Sequence, residues 1–235
     1  MQTGEVQIPV SEIFLSIQGE GVNSGTPSVF LRTYRCNLTC TWCDTKYTWL
    51  GQENALPGVE YVTLYATEVE ERIAKLGCKH VVLTGGEPLL HQRALAPLLA
   101  RLKDKGYYIE VETNGTITPS PEVTAAVDCF NVSPKISNSL VNAAARVKRD
   151  ALRAHVESKK AWFKFVICSK ADLGEVEEMV SAHDIPRERV MLMPEGIDAL
   201  TSLERSRWIV EICKQKGFRF TPRLHILLYG NKRGV

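Results

Sequence analysis

Seven short, β-rich apolar runs are spaced along this chain with amphipathic stretches between most of them, and that alternation constrains the fold more than any other feature. The runs are Val29 to Tyr34, His80 to Thr84, Tyr107 to Glu112, Cys129 to Ser133, Trp162 to Cys168, Val190 to Met193 and Phe218 to Thr221. Thr67 to Leu76 puts Val69, Ile73 and Leu76 on one helical face, and Leu95, Leu98, Leu99 and Leu102 form a second such face. Leu203 to Lys216 carries Ile209, Ile212 and Cys213 on its apolar side, and Gly217 stops it. Repeated strand–helix–strand units call for a parallel sheet covered by helices. The expected class is therefore α/β, an incomplete (β/α) barrel of six or seven units, with a doubly wound open sheet as the competitor that order alone does not exclude. Two regions break the pattern: an irregular loop over 36–59 and a polar, helix-prone insertion over 138–160. With no internal repeat and no linker tract, residues 1–235 are expected to form one domain.

Composition narrows the function. The 235 residues are 44% apolar and 24% charged with a net charge of +2, too mild a balance to argue for a nucleic-acid surface. No N-terminal stretch reads as an export signal, and the longest apolar runs, such as Val81 to Leu83 and Ile226 to Leu228, are far too short to cross a bilayer. A cytoplasmic protein with neither nucleic acid nor membrane as partner is expected. In that compartment the seven cysteines serve as thiols or ligands rather than disulfides. Cys78, Cys129, Cys168 and Cys213 are isolated among apolar neighbours and read as small buried hydrophobes.

The other three cysteines carry the chemical signal. Cys36-Asn-Leu-Thr-Cys40-Thr-Trp-Cys43 follows directly on the strand-like run that ends at Tyr34. Three thiolates in so short a loop can converge on three corners of a cubane, whereas iron–sulfur clusters are normally held by four cysteines. No fourth lies nearby, and the missing ligand leaves one iron open to the amine and carboxylate of an amino acid. A zinc site is the competing reading, but a closed tetrahedral set needs a partner pair of Cys or His that this sequence does not supply later.

In β/α barrels the reacting groups gather at the C-terminal ends of the strands. Those ends read Thr84-Gly85-Gly86-Glu87-Pro88, Glu112-Thr113-Asn114-Gly115, Ser133-Pro134-Lys135 and Met193-Pro194-Glu195-Gly196. Each alone is ordinary turn chemistry. Four of them beyond a three-cysteine loop make a candidate cofactor wall, in which two glycines admit a ligand close to the backbone and Glu87 accepts from an ammonium.

The C-x₃-C-x₂-C spacing with Trp42 before the last cysteine resembles the cluster motif of the radical S-adenosylmethionine (SAM) superfamily. The resemblance implies a [4Fe–4S] cluster on Cys36, Cys40 and Cys43 with SAM at the open iron. It implies SAM contacts from Gly85, Gly86 and Glu87 to the methionine amine, from Ser133, Pro134 and Lys135 to the ribose, and from Met193, Pro194, Glu195 and Gly196 on the adenine side. Trp42, Asp44, Glu112 and Asn114 join that set. Over nearly the whole chain the sequence is similar to the 7-carboxy-7-deazaguanine synthase family of the queuosine and 7-deazapurine pathways. Phe14 to Gly21 resembles its substrate segment, Arg32 its substrate-carboxylate arginine, Thr45 its Mg²⁺ ligand, and His225 to Val235 the end of some members, whose terminal carboxylate reaches the substrate. The implied substrate is 6-carboxy-5,6,7,8-tetrahydropterin, met by Ile17, Gln18, Gly19, Glu20, Arg32, Thr84 and Val235, with His225 as a further candidate. Arg32 can grip the carboxylate bidentately, and Gln18 and Glu20 can pair with the pyrimidine edge.

What the family implies for the reaction is a carbon–nitrogen lyase. A donor such as flavodoxin reduces the cluster, the radical from SAM takes hydrogen from C6, the ring contracts with Mg²⁺ at the carboxylate, hydrogen returns to SAM and ammonia leaves. A homodimer is implied as well. Lys164 and the 138–160 segment receive no role. Some relatives lengthen the stretch between the first two cysteines, and this chain does not. A glycyl-radical-enzyme activase and a non-catalytic metal-binding module are the alternatives. The first would not need Gln18 to Gly21, and anaerobic iron and sulfide analysis separates the second, since a zinc module is colourless.

Overall fold

A computed structural model describes residues 6–49 and 61–235; the second part of the expected 36–59 loop lies outside them. Among the described residues there are nine strands. They are β1 (Ile8–Ile17), β2 (Pro27–Thr33), β3 (Val62–Leu64), β4 (His80–Gly85), β5 (Tyr108–Thr113), β6 (Cys129–Val132), β7 (Ala161–Ile167), β8 (Val190–Pro194) and β9 (Arg219–Phe220). They form one sheet in the order β3-β1-β2-β4-β5-β6-β7-β8-β9. From β2 to β9 every pairing is parallel, and β1 adds antiparallel to β2. All seven expected runs are strands of the parallel part. β1 and β3 are not among the expected runs.

The helices are α1 (Ala66–Lys75), α2 (Gln92–Asp104), α3 (Pro121–Ala126), α4 (Ala143–Arg146), α5 (Arg149–Glu157), α6 (Asp172–Ala182), α7 (Ala199–Lys216) and α8 (Leu224–Tyr229). Their starts follow local chemistry. Ser120 caps α3 through Val123 N at 3.4 Å with Pro121 at the first turn, and Asp198 caps α7 through Thr201 N at 2.8 Å. Gly217 ends α7 in the left-handed region, as expected. The 138–160 segment is not an insertion: it holds α4 and α5 and is the crossover from β6 to β7 that a parallel pairing requires. Its polarity misled because only Ala151, Leu152 and His155 of α5 are buried. None of the described helices is long and apolar enough to cross a membrane.

The two faces of the sheet decide between barrel and open sheet. Alternate residues, among them Leu31, Leu83, Val111, Val132, Phe163, Phe165 and Leu192, form one apolar core with Val69, Ile73, Leu95, Leu98, Leu152, Val176 and Ile209 of the helices. The residues between them in the strands include Arg32, Thr84, Glu110, Glu112, Asn131 and Lys164. A doubly wound sheet buries both faces under helices and is apolar on both. One apolar face and one polar, mostly buried face are what a curved sheet wrapped around a ligand space produces, so the partial barrel holds.

Candidate functional site

The polar face looks into a cavity of about 440 Å³ at the C-terminal ends of β2, β4, β5, β6, β7 and β8, a size in the ordinary range of small-molecule sites. Its rim is the cysteine loop. Cys36, Cys40 and Cys43 all border it. Among the described residues no three His, Cys, Asp or Glu side chains close in on a single metal ion, which argues against a closed zinc site. Three thiols bordering one cavity would suit a larger iron–sulfur cluster that takes three ligands from the protein. Burial pushes the Cys36 thiol up to about 11 and raises Cys40 as well, so a bound cation is needed to favour their thiolates.

The loop is held at both ends by backbone. Arg35 enters it at φ 80°, with its N–H donating to Thr48 O at 2.7 Å and its carbonyl accepting from Glu87 N at 2.8 Å. A Cβ on Gly86 would meet Arg35 O at 2.0 Å, and one on Gly85 (φ 143°) would meet Thr33 O at 2.3 Å. Both glycines therefore serve the approach of two backbones, the end of β4 against the start of the cysteine loop, as well as lining the cavity. Downstream, Trp42 Nε1 donates to Asn138 Oδ1 at 3.2 Å and Thr41 N to Ser139 O at 3.2 Å. The 138–160 segment thus has a role that its sequence did not disclose.

Glu87 departs from expectation. Its carboxylate is fully buried, accepts from Leu89 N at 3.0 Å, Thr113 Oγ1 at 2.9 Å and Asn114 N at 2.7 Å, and does not border the cavity. Three protein donors occupy it, so it fixes the turn after β5 rather than meeting an ammonium. Burial raises its pKa despite those bonds. Pro134, Pro194 and Gly196 also stand off the wall, whereas Ser133, Lys135, Met193, Glu195, Glu112, Asn114, Trp42 and Asp44 are on it. Asn114 Nδ2 donates to Asn37 Oδ1 at 2.9 Å, tying the β5 turn to the cysteine loop. Lys135 Nζ donates to Ser133 Oγ at 2.9 Å and lies 5.2 Å from the Trp42 ring. Arg205 pairs with Glu195.

The expected substrate residues Ile17, Gln18, Gly19, Glu20, Arg32, Thr84, His225 and Val235 all border the same cavity as the cysteines. β1 places the first of them. A bulge at Ser11 shifts the register so that Glu12 faces Arg32, and Glu12 accepts from Arg32 Nε at 2.9 Å, from Tyr47 Oη at 3.2 Å and from Arg233. Gln18 is 1% exposed; its amide donates to Glu110 at 2.5 Å and Glu112 at 3.2 Å, and its oxygen accepts from Glu20 N at 3.2 Å. Thr45 stands at the cap position of a short turn over Lys46–Thr48, but its hydroxyl makes no capping bond and lies 3.6 Å from Cys43 Sγ.

Glu20 is less free than the sequence suggested. Lys164 and Arg223 both pair with it, Arg223 Nε at 3.0 Å, and His225 Nε2 lies 3.9 Å away. Burial pushes its pKa up, but Lys164, Arg223 and His225 outweigh that and hold it well below the carboxylate range. Lys164 is 3% exposed and 3.9 Å from Glu112; burial works against its charge, yet Glu112 and Glu20 keep it cationic. Glu112 sits high, through burial first. His225 packs so closely that a Cβ on Gly19 would lie 2.1 Å from its Nδ1. Lys164 and Arg223 are charged side chains of the cavity that the sequence did not single out.

The comparisons agree with this geometry. A sequence model described as the Radical SAM superfamily matches residues 30–157. A 7-carboxy-7-deazaguanine synthase of Pyrobaculum aerophilum is 44% identical over 97% of each chain, and one of Halobacterium salinarum is 36% identical over 95% of this chain and 91% of its own. The crystal structure of QueE from Escherichia coli superposes with a TM-score of 0.73 at 28% identity, covering 93% of this chain and 95% of that one. Streptococcus suis SuiB bound to S-adenosylmethionine shares the fold alone, at 14% identity and a TM-score of 0.52. A polar-faced partial barrel, a three-cysteine rim and these relatives converge on one assignment: the chain belongs to the radical SAM superfamily and, within it, to the 7-carboxy-7-deazaguanine synthases.

Proposed function

We propose that the cavity binds 6-carboxy-5,6,7,8-tetrahydropterin against Arg32, Gln18 and Glu20 and converts it to 7-carboxy-7-deazaguanine with loss of ammonia. The observation that carries this reading is one cavity bordered both by the three cysteines and by Arg32, Gln18 and Glu20. When bound, the [4Fe–4S] cluster and SAM supply the radical that takes hydrogen from C6 of the pterin. The protein's own residues bind and orient. Arg32 keeps Nε on Glu12, and its two terminal nitrogens carry no bond among the described residues, so they are available to a carboxylate. Glu20, held as a carboxylate by Lys164 and Arg223, is a fixed acceptor for ring N–H groups. Gln18 is oriented by the Glu110 and Glu112 carboxylates. Phe14 and Phe30, stacked at 5.2 Å, supply apolar wall beneath Arg32.

Mg²⁺ belongs beside Thr45 in this reading. Its hydroxyl, free of a capping bond and on the cavity wall, is a hard oxygen that can share the ion with the substrate carboxylate and water. An external one-electron donor such as flavodoxin, a homodimer, a single domain and a cytoplasmic setting complete the proposal. The test is an anaerobic incubation of reconstituted protein with SAM, dithionite, Mg²⁺ and the tetrahydropterin, read by mass spectrometry. 7-Carboxy-7-deazaguanine is expected, and is expected to vanish in Cys40→Ala. Accumulation of 5′-deoxyadenosine with no such product would leave the radical chemistry and remove the substrate.

A further inference from the structure

Arg223 is where the functional segments meet. It is 7% exposed, and each of its three nitrogens has a partner in a different segment. Nε donates to Glu20 Oε1 at 3.0 Å, one terminal nitrogen donates to Gly196 O at 2.5 Å, and the other pairs with Asp44. Glu20 lies on the proposed substrate wall, Gly196 in the turn after β8, and Asp44 directly follows the third cysteine. A planar guanidinium bonded along all its edges has one orientation. Leu224 N, next in the chain, donates to Gly19 O at 2.8 Å and pins the same stretch to the substrate segment.

We propose that Arg223 is a positioning residue for the reaction: through Asp44 and Glu20 it holds the cysteine loop and the pterin-facing carboxylate in one rigid frame. The inference rests on the reading of the cavity given above. Lys164 already supplies Glu20 with a cation, so charge neutralisation does not require Arg223. What Arg223 alone supplies is the connection from Glu20 to Asp44 and Gly196. A bound pterin held by Glu20 then steadies the cysteine loop, and the loop fixes where the pterin lies relative to the cofactor.

The test uses the full chain, first without its cluster. Affinity for 6-carboxypterin is measured by calorimetry, and alkylation of Cys36, Cys40 and Cys43 is followed peptide by peptide in its presence and absence. In the wild-type protein the pterin slows alkylation of the loop. In Arg223→Met the pterin still binds, weakened by no more than about tenfold because Lys164 remains, but it no longer slows alkylation. Asp44→Ala cuts one arm and gives the same loss, and the double variant adds nothing further. On the reconstituted enzyme both variants release more 5′-deoxyadenosine per product than the wild type, a ratio that general destabilisation does not move. If Arg223→Met does not fold, Asp44→Ala carries the test alone. Unchanged protection together with an unchanged ratio overturns the inference. Failure of the wild type to bind 6-carboxypterin overturns the reading of the cavity and the inference with it, a result distinct from binding that ignores Arg223.

Discussion

Gly86 and Arg32 show how much a single position decides here. Any side chain at Gly86 meets Arg35 O and Cys36 N, both backbone atoms that cannot turn aside. Gly86→Ala is therefore expected to displace the cysteine loop: reconstituted iron content falls severalfold while far-UV circular dichroism stays that of the wild type. Arg32→Ala is expected to leave cluster and SAM binding intact and to weaken 6-carboxypterin binding about 100-fold by calorimetry, the size usual for removing one member of a partly buried charge pair. Unchanged affinity would end the carboxylate role. Residue types and spacing made the cysteines and the strand-end turns, Gly86 among them, legible in the sequence, whereas Arg32 was legible only through the family resemblance. Lys164 and Arg223 were illegible for a physical reason. Their partners lie far along the chain, 144 residues from Lys164 to Glu20 and 179 from Arg223 to Asp44, so no local pattern marks them. Glu87 was misread in the opposite sense: its residue type suits an ammonium, but Thr113 and Asn114 reach it first.

Elements were legible where their periodicity was clean. The seven parallel strands are short apolar runs because one face packs under helices and the sheet is central. β1 was hidden because its Ser11 bulge breaks the alternation and because one face carries Glu12, Phe14 and Ser16 into the barrel rather than into the core. α6 was hidden by Gly174 and by an apolar side limited to Val176, Met179 and Val180. That glycine has nothing within 4 Å of an added Cβ and no left-handed φ. Gly174→Ala is expected to stabilise the protein by roughly 0.5–1 kcal/mol, seen as a higher Tm with activity unchanged. A fall in Tm would mean that α6 needs the glycine for something other than its helix.

At the scale of the whole molecule, mild acid is expected to loosen the fold through a buried histidine. His155 of α5 is fully buried against the Phe130 ring, and burial, only partly offset by the Ile117 backbone, lowers its pKa to about 4. The folded state thus prefers neutral His155. Its contribution is intact above pH 6.5 and is lost as pH falls from 6.5 towards 4, where the unfolded chain takes up the proton first. The loss is at most about 3 kcal/mol, and Glu87 and Glu112, raised by burial, oppose it. Denaturant titrations should show stability declining across that window in the wild type and a flatter profile in His155→Leu; parallel profiles would assign the decline elsewhere. The cysteine loop has a consequence of another kind. It is tied at Arg35 to Glu87 on one side and at Trp42 to Asn138 on the other, like a bridge deck resting on two abutments. A deck so supported can be lengthened between Leu38 and Cys40, past the Asn37 tie to Asn114, without moving either bank. The same addition between Cys43 and Thr48 would undercut an abutment, since Thr48 O is what receives the Arg35 N–H.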